Sequence, residues 1–436
     1  MHQIRVAFLS EHASPLALLG SQDAGGQNVY VDEVSRNLAK LGVAVDVFTR
    51  GDDPGLPSVT QWAQGVRVIH LRAGDERFIA KDNLWPLMPD FRDGLLAFAR
   101  EQQARGEPYD LLHGNFWMSG WVAIEARRQL GIPAAQIFHA MGKTKARHQG
   151  AADTSPGDRI AVEREVVRDV DALIAQCPSE QAELVDDYDA DPEKVTIIPS
   201  AVNIEQFRPV PHDEARRRIG IPMDGLLVAY VGRMLPRKDV RSLVRAMGRL
   251  RERWTEIPTP TLLLVGGETI DPDPQATPEI GELMRLAEEV GIRASTRFVG
   301  KRQPHALRDY YSAADVVVTT PWYEPFGLTP LEAMACGRPV IGSAVGGITF
   351  TIKPGETGFL VPPRDPEALA ERIAFTLKRP ELRRRMGRAA RQRVERDFTW
   401  PTVAERTASL YERILSGRPH EAASHAGMTS SALAEV

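Results

Sequence analysis

The stretch PWYEPFGLTPLEAMACGRPVIGSAVGG, Pro321 to Gly347, decides how the chain is read. A loop bearing Pro325 and Gly327 runs into the helical pattern Thr329-Pro330-Leu331-Glu332-Ala333-Met334-Ala335. Thr329 is the expected N-cap, with Pro330 at the first helical position, where a missing N–H costs nothing. The free N–H groups and dipole of a helix start make an anion site. Glu324 and Glu332 stand on either side of that start and are expected to face one ligand volume, as acceptors for hydroxyl groups. After Cys336-Gly337 a buried strand at Pro339-Val340-Ile341 leads to a second loop, Val345-Gly346-Gly347, expected to be flexible. A phosphate-binding helix start between two carboxylates suits a nucleotide sugar. Taken alone, the same pattern also fits an ordinary β-loop-α turn with surface glutamates.

Outward from this stretch, short apolar strands alternate with amphipathic helices along the whole chain, which implies parallel sheets covered by helices on both faces. Ile4 to Ser10 reads as the first strand, and Val43–Phe48, Val66–Leu71, Leu111–His113, Ala134–Phe138, Ala172–Ala175 and Val195–Ile198 continue the series. The helix between the first two strands carries Tyr30, Val31, Val34, Leu38 and Leu41 on one face and closes at Gly42. Pro199 to Pro211, proline-rich and aperiodic, is the expected hinge. The second half restarts at Leu226–Val231 and continues through Thr261–Val265, Arg297–Val299, Asp315–Thr319, Pro339–Ile341 and Phe359–Val361. This gives an α/β protein with domains at 1–203 and 204–400, a final helix over 401–416 and a disordered tail over 417–436.

The 436 residues suffice for two cores. A net charge of −4 argues against nucleic acid or an anionic membrane as the main partner. Cys177 and Cys336 are the only cysteines and stand far apart, which fits a reducing cytoplasmic compartment without a disulfide framework. No apolar run approaches membrane-spanning length, although peripheral contact through a basic patch stays open. The apolar run at the N-terminus is too short for a signal peptide and fits a strand instead.

Other loops carry chemistry. Gly232 closes a strand and permits close approach, and Arg233 and Lys238 follow it as a candidate clamp for a diphosphate; a solvated basic loop with Arg237 and Arg241 is the equal alternative. Asp23-Ala24-Gly25-Gly26-Gln27-Asn28 lies between a strand and a helix, as a phosphate-approaching glycine loop does, without being a dinucleotide fingerprint. His139 ends a strand at the carboxyl edge, where open α/β sheets place ligands. Lys81 and Arg159, taken singly, read as surface cations.

Together these motifs resemble retaining glycosyltransferases of family four, which have the GT-B fold: two Rossmann-like domains whose parallel sheets face each other across a cleft. The signature is the pair of glutamates around FGL followed by MA-x-G-x-PV, and the resemblance covers about Ile4 to Leu415. DAGGQNVY and KDNLWPLMPDF are similar to segments of sucrose-phosphate synthases and of D-inositol-3-phosphate glycosyltransferases. The resemblance implies a donor site. In it Glu324 meets the sugar hydroxyls, Glu332 the ribose, the Phe326-Gly327-Leu328-Thr329 backbone the phosphates, and Phe298, Val299 and Arg302 the base. Gly25, Gly26 and Gly232 would approach the donor, with Arg233 and Lys238 on its phosphates. His139, in HAMGKTK, would contact the donor sugar. Asn28, Lys81, Phe116 and Arg159 would bind the acceptor, Lys81 and Arg159 through a phosphate.

The resemblance further implies a hexosyl transfer from a UDP-sugar such as UDP-glucose to a sugar phosphate, with retention, through front-face displacement and without a metal or other cofactor. Catalytic roles fall to His139, Arg233, Lys238 and Glu324. Ala140, Asn115 and Phe116 depart from the relatives' pattern, all on the acceptor side. A lipid-linked or natural-product acceptor, a sugar-nucleotide epimerase and a non-catalytic sensor remain alternatives. Asp187-Tyr188-Asp189 and Asp271-Pro272-Asp273 mimic a metal-binding D-x-D but are read as solvated turns in loops.

Overall fold

A computed structural model describes residues 3–17, 25–150 and 153–417. The expected tail, apart from Gly417, and Asp23-Ala24 lie outside the described residues. Eight strands form the first sheet: β1 Arg5–Leu9, β2 Ala44–Arg50, β3 Val59–Ala63, β4 Val66–Leu71, β5 Leu111–Asn115, β6 Ala134–Ile137, β7 Ala172–Ala175 and β8 Val195–Ile197, in the order β3-β4-β2-β1-β5-β6-β7-β8. Six form the second: β9 Leu227–Val231, β10 Thr261–Val265, β11 Thr296–Gly300, β12 Val316–Thr319, β13 Val340–Ser343 and β14 Gly358–Val361, in the order β11-β10-β9-β12-β13-β14.

All pairings are parallel except β3 with β4. β3 has no counterpart among the strands expected from the sequence. Its residues, Val-Thr-Gln-Trp-Ala, lie exposed or half-exposed at the sheet edge, so they lack the apolar run that marks the central strands. The central strands are buried on both faces; β9 and β12 have no exposed residue.

Both sheets reverse their strand order once, at β1/β5 in the first and β9/β12 in the second. Ligands of open α/β sheets bind beyond the carboxyl ends of the strands at such a switch point. The loops that follow β1, β5, β9 and β12 are therefore the ones that build a site.

The two halves are joined twice. The first crossing is the 199–211 segment, and the second is Phe398-Thr399, where Val202 N–H donates to the Phe398 carbonyl at 3.1 Å. The last helix, Trp400–Ser416, begins with the Thr399 side chain accepting from the Thr402 N–H at 3.4 Å. It packs on the first helix, Gly26–Lys40. Trp400, Val403, Ala404, Leu410 and Tyr411 complete the core around Tyr30, Val31 and Val34. Tyr411 reaches through that core to His113 on β5, Oη to Nδ1 2.6 Å. Burial pushes the His113 pKa down to about 3. Leu41, assigned to the core face from periodicity, is instead the exposed residue that closes the first helix.

Candidate active site

The switch-point loops enclose a cleft of about 400 Å³ between the two sheets. One wall comes from the second half. Gly232 and Arg233 follow β9, the Pro236–Lys238 turn supplies Arg237 and Lys238, and Glu324 to Thr329 follow β12. The other wall holds Gly26, Gln27, Tyr30 and His139, with Gln176 and Ser200 beside them.

On the first wall the helix begins two residues earlier than expected, at Leu328, with Gly327 in the N-cap position at φ 87°. Thr329 and Pro330 thus fall inside the first turn. A residue free to take positive φ lets the chain turn abruptly into the helix without a side-chain cap. The Val345-Gly346-Gly347 loop, expected to be flexible, is instead closely packed. Gly347 N–H donates to the carbonyls of Glu324 (3.2 Å) and Pro325 (3.1 Å). A Cβ on Gly347 would stand 2.5 Å from Phe326 Cα. The loop is a buttress for the turn that carries Glu324.

Lys238 Nζ pairs with the Glu324 carboxylate inside the cleft. Arg233 is exposed there, and its side chain has no hydrogen-bond or ion-pair partner among the described residues. Arg237, read from the sequence as background charge, lines the cleft as a third cation, whereas Arg241 is held in a bidentate pair by Glu279 at 2.7 and 2.8 Å. Three cations against one carboxylate leave a net positive charge at the start of the Leu328–Ala335 helix. The start of the Gly26–Lys40 helix stands opposite: Leu328 would meet a Cβ on Gly26 at 3.5 Å. N–H groups of a first helical turn have no partner within their helix, so two helix starts and three cations converge on one volume. That is the electrostatics of a diphosphate site.

Glu332 does not share that volume. The helix turns it toward the Pro304–Ala313 helix, where its carboxylate accepts from Tyr311 Oη at 2.6 Å. Burial raises its pKa to about 7. Phe298, Val299 and Arg302 also lie off the cleft: Phe298 sits under Arg293, and Arg302 donates to Tyr310 Oη (2.9 Å) and the Ile270 carbonyl (2.7 Å).

On the opposite wall His139 is half-buried at φ 61°, with its ring edge-on to Tyr30. Burial, with His12 nearby, pushes its pKa down to about 3, so the imidazole is neutral. Nε2 lies 3.2 Å from Asn115 Oδ1. Asn115 Nδ2 donates to the Leu9 carbonyl at 3.2 Å, which fixes Oδ1 as the acceptor and puts the His139 proton on Nε2. Nδ1 is left with a lone pair. Asn115, noted from the sequence only as a departure, is thus the residue that sets the tautomer of His139.

The acceptor residues expected from the sequence are mostly committed internally. Asn28 is buried; its Oδ1 accepts from Gly25 N–H (2.9 Å) and its Nδ2 donates to Ser14 O (3.0 Å), which caps the helix. Arg159 is 3% exposed and donates to Glu163 (2.8 Å), Ser155 Oγ (3.2 Å) and the Ala140 carbonyl (2.6 Å), with its guanidinium over the Phe116 ring. Glu163 in turn accepts from the Gly142 N–H at 3.0 Å, at the start of the helix that follows His139. Arg159 is therefore a strut for the His139 segment and not an open phosphate clamp. Phe116 sits at φ 80°, ψ 161°, a region that only glycine occupies easily, and such strain collects at functional sites. Lys81 opens a short turn, Lys81–Asn83, whose Asp82 accepts from Thr154. Sequence reasoning missed Glu11 and His12 as well. His12 Nδ1 lies 2.7 Å from the fully buried Glu11 carboxylate, and the His12 ring is edge-on to Phe116.

The two D-x-D mimics differ: Asp187 and Tyr188 belong to the Pro178–Tyr188 helix, where Asp187 pairs with Arg147 and Tyr188 bonds Glu163, whereas Asp271-Pro272-Asp273 lies in a loop, as expected, with Asp273 Oδ1 accepting from the Gln275 N–H at 2.8 Å. No cluster of three His, Cys, Asp or Glu side chains among the described residues could hold a metal ion.

Two facing α/β domains with a cationic cleft at both switch points define a glycosyltransferase of the GT-B fold. A family model described as "Glycosyl transferases group 1" matches residues 211–393, and one described as "Glycosyl transferase 4-like domain" matches residues 25–201. The chain is 38% identical over 414 residues to a D-inositol 3-phosphate glycosyltransferase of Streptomyces scabiei (strain 87.22), covering 93% of this chain and 90% of that one. It is 33% identical to the Corynebacterium glutamicum (strain R) protein of the same name, over 97% and 100% of the two chains. Among solved structures, a sucrose-phosphate synthase from Thermosynechococcus elongatus superposes with a TM-score of 0.81 at 36% identity, covering 95% of this chain and all of that one. Anabaena HepE, solved with UDP-glucose, shares the fold at 18% identity and a TM-score of 0.69, covering 94% and 99% of the two chains. The chain belongs to the group 1 glycosyltransferases, the family-four enzymes its motifs resemble. Among the described residues no helix is long and apolar enough to cross a membrane.

Proposed function

We propose that the protein is a retaining, metal-independent hexosyltransferase, cytoplasmic, that moves sugar from a UDP-sugar such as UDP-glucose to the hydroxyl of a sugar phosphate. The observation that carries this reading is the convergence of Arg233, Arg237, Lys238 and two helix starts on one cleft, with Glu324 and His139 at its edges. Arg233 and Lys238 hold the diphosphate and stabilise the charge that grows on it as the glycosidic bond breaks. Glu324, released from Lys238 once phosphate arrives, accepts from the sugar hydroxyls. Neutral His139 supports the sugar from the other wall. The departing phosphate takes the acceptor proton, and closure of the two domains (1–203 with the returning helix, and 204–400) excludes water that would hydrolyse the donor.

The phosphate on the acceptor draws support from Lys81 and from relatives whose names contain inositol 3-phosphate and sucrose-phosphate. One observation favours a second reading, an unphosphorylated acceptor: Arg159 is buried and already bonded to three partners. A matrix of UDP- and other nucleotide sugars against inositol phosphates, hexose phosphates and their unphosphorylated parents, scored by nucleotide release and product mass, tests both. Transfer to the phosphorylated acceptors with retained anomeric configuration is expected. Equal transfer to the unphosphorylated set would select the second reading, and an epimerised nucleotide sugar formed without acceptor would overturn the transferase mechanism.

A further inference from the structure

A cavity of about 630 Å³ lies on the far side of the second domain, away from the cleft. Its floor is the end of the Leu328–Ala335 helix at Cys336-Gly337-Arg338, and its walls are Pro209 and His212 beyond the hinge and the Pro380–Asp397 helix. His212, Arg338, Arg383, Arg384, Arg388 and Arg391 line it, against one acid, Asp315.

The charges in this cavity do not balance. Asp315 is already spent: its carboxylate takes Arg216 at 3.1 Å, Arg383 at 3.2 Å and the Leu227 N–H at 2.9 Å. Arg384 pairs with Glu381 and Arg391 with Glu395, both outside the cavity. Arg338 and Arg388 have no side-chain hydrogen bond or ion pair among the described residues. Arg338 Nε is buried without an acceptor, and so is His212 Nε2. Burial holds the Arg338 guanidinium below its ordinary pKa; attraction to Asp315 opposes that shift, and repulsion from Arg216 and Arg383 adds to it. A buried donor without an acceptor costs about 1–3 kcal/mol, more when charged. Two unpaired guanidiniums in a concave, roomy site match the charge of a phosphate monoester and offer it forked donors.

We propose that this cavity is a second binding site, for a small phosphate-bearing ligand, held by Arg338 and Arg388 with His212 beside them. Its position is at the hinge: Arg391, on the same helix face, donates to the carbonyls of Phe207 (2.9 Å) and Ala335 (2.8 Å), which ties the cavity wall to the crossing segment and to the helix that starts in the cleft.

Titration calorimetry on the full chain at fixed ionic strength tests it, with inorganic phosphate, a hexose 6-phosphate and the parent hexose as probes. At least one phosphate-bearing probe is expected to bind and the hexose not to; which of the two binds separates free phosphate from a phosphate ester. Arg388→Gln, at an exposed position outside the catalytic cleft, should weaken binding at least about tenfold and leave the basal transfer rate unchanged. Arg338→Gln should do the same, and Lys81→Ala should not alter the titration. Binding in Arg388→Gln and Arg338→Gln equal to wild type, binding lost only in Lys81→Ala, or no phosphate binding at all would each overturn the proposal.

Discussion

The two walls of the cleft are built on opposite plans. The wall from the second domain is written in two short runs: Gly232 to Lys238 and Glu324 to Thr329 supply every charge on it. The wall from the first domain is assembled from the ends of several strands, with Gly26, His139, Gln176 and Ser200 far apart in the chain. The first wall keeps Arg233 and Arg237 available to a ligand and ties down only Lys238, on Glu324. The second spends its polar groups on itself, Asn28 on a helix cap and Arg159 on Glu163, Ser155 and Ala140. A wall that recognises a fixed diphosphate can be written as a local motif, whereas a wall that positions an acceptor must first hold its own loops in place.

The largest test of this contrast is Arg159→Ala. Leaving the fully buried Glu163 carboxylate without its partner should cost about 3–5 kcal/mol of stability, read in a denaturant titration. A change in acceptor KM with stability intact would make Arg159 a ligand and break the comparison. On the other wall Lys238→Ala should leave the fold standing and lower kcat by about 10²–10³-fold, roughly 2.7–4 kcal/mol of transition-state stabilisation, in steady-state assays with the best donor. A fall in stability as large as that of Arg159→Ala would erase the distinction. Gly347→Ala comes next. Its Cβ displaces the Glu324–Phe326 turn at a cost of about 1–3 kcal/mol, so UDP binding by calorimetry should weaken while acceptor KM stays put. The smallest effect is expected from Glu332→Gln. The folded carboxyl keeps its proton to about pH 7 while the unfolded one releases it near 4.5, so wild-type stability is lost as pH rises through that window. The variant should gain about 2–4 °C in Tm at pH 8, on the order of 1 kcal/mol, and nothing at pH 4.5.

The same contrast decides what the sequence made legible. Alternating apolar strands and helices disclosed the two parallel sheets because central strands are buried on both faces; the polar edge strand Val59–Ala63 carries no such mark. Glu324 and Lys238 stand in short local motifs and could be singled out there, whereas the helix start read at Thr329 lies at Gly327, because a glycine at positive φ needs no side-chain cap. That Glu332 turns to Tyr311 depends on which helices pack together, and that Asn115 fixes the tautomer of His139 on which strand ends become neighbours; neither is written locally. Residue type also hid function: Arg159 and Lys81 look alike as isolated cations, and only burial separates the strut from the half-exposed side chain.

The helix Trp400–Ser416 completes the core of the first half although it is made last. A ribosome that has finished β8 at Ile197 still has more than two hundred residues to add before Trp400, Val403 and Tyr411 exist to cover Tyr30 and Val31. At ordinary synthesis rates that interval is about 10–40 s. Throughout it the nascent first half carries an uncovered apolar groove, a natural docking place for a chaperone, and a chain that stops short of residue 400 should be cleared by proteolysis rather than persist as a folded half.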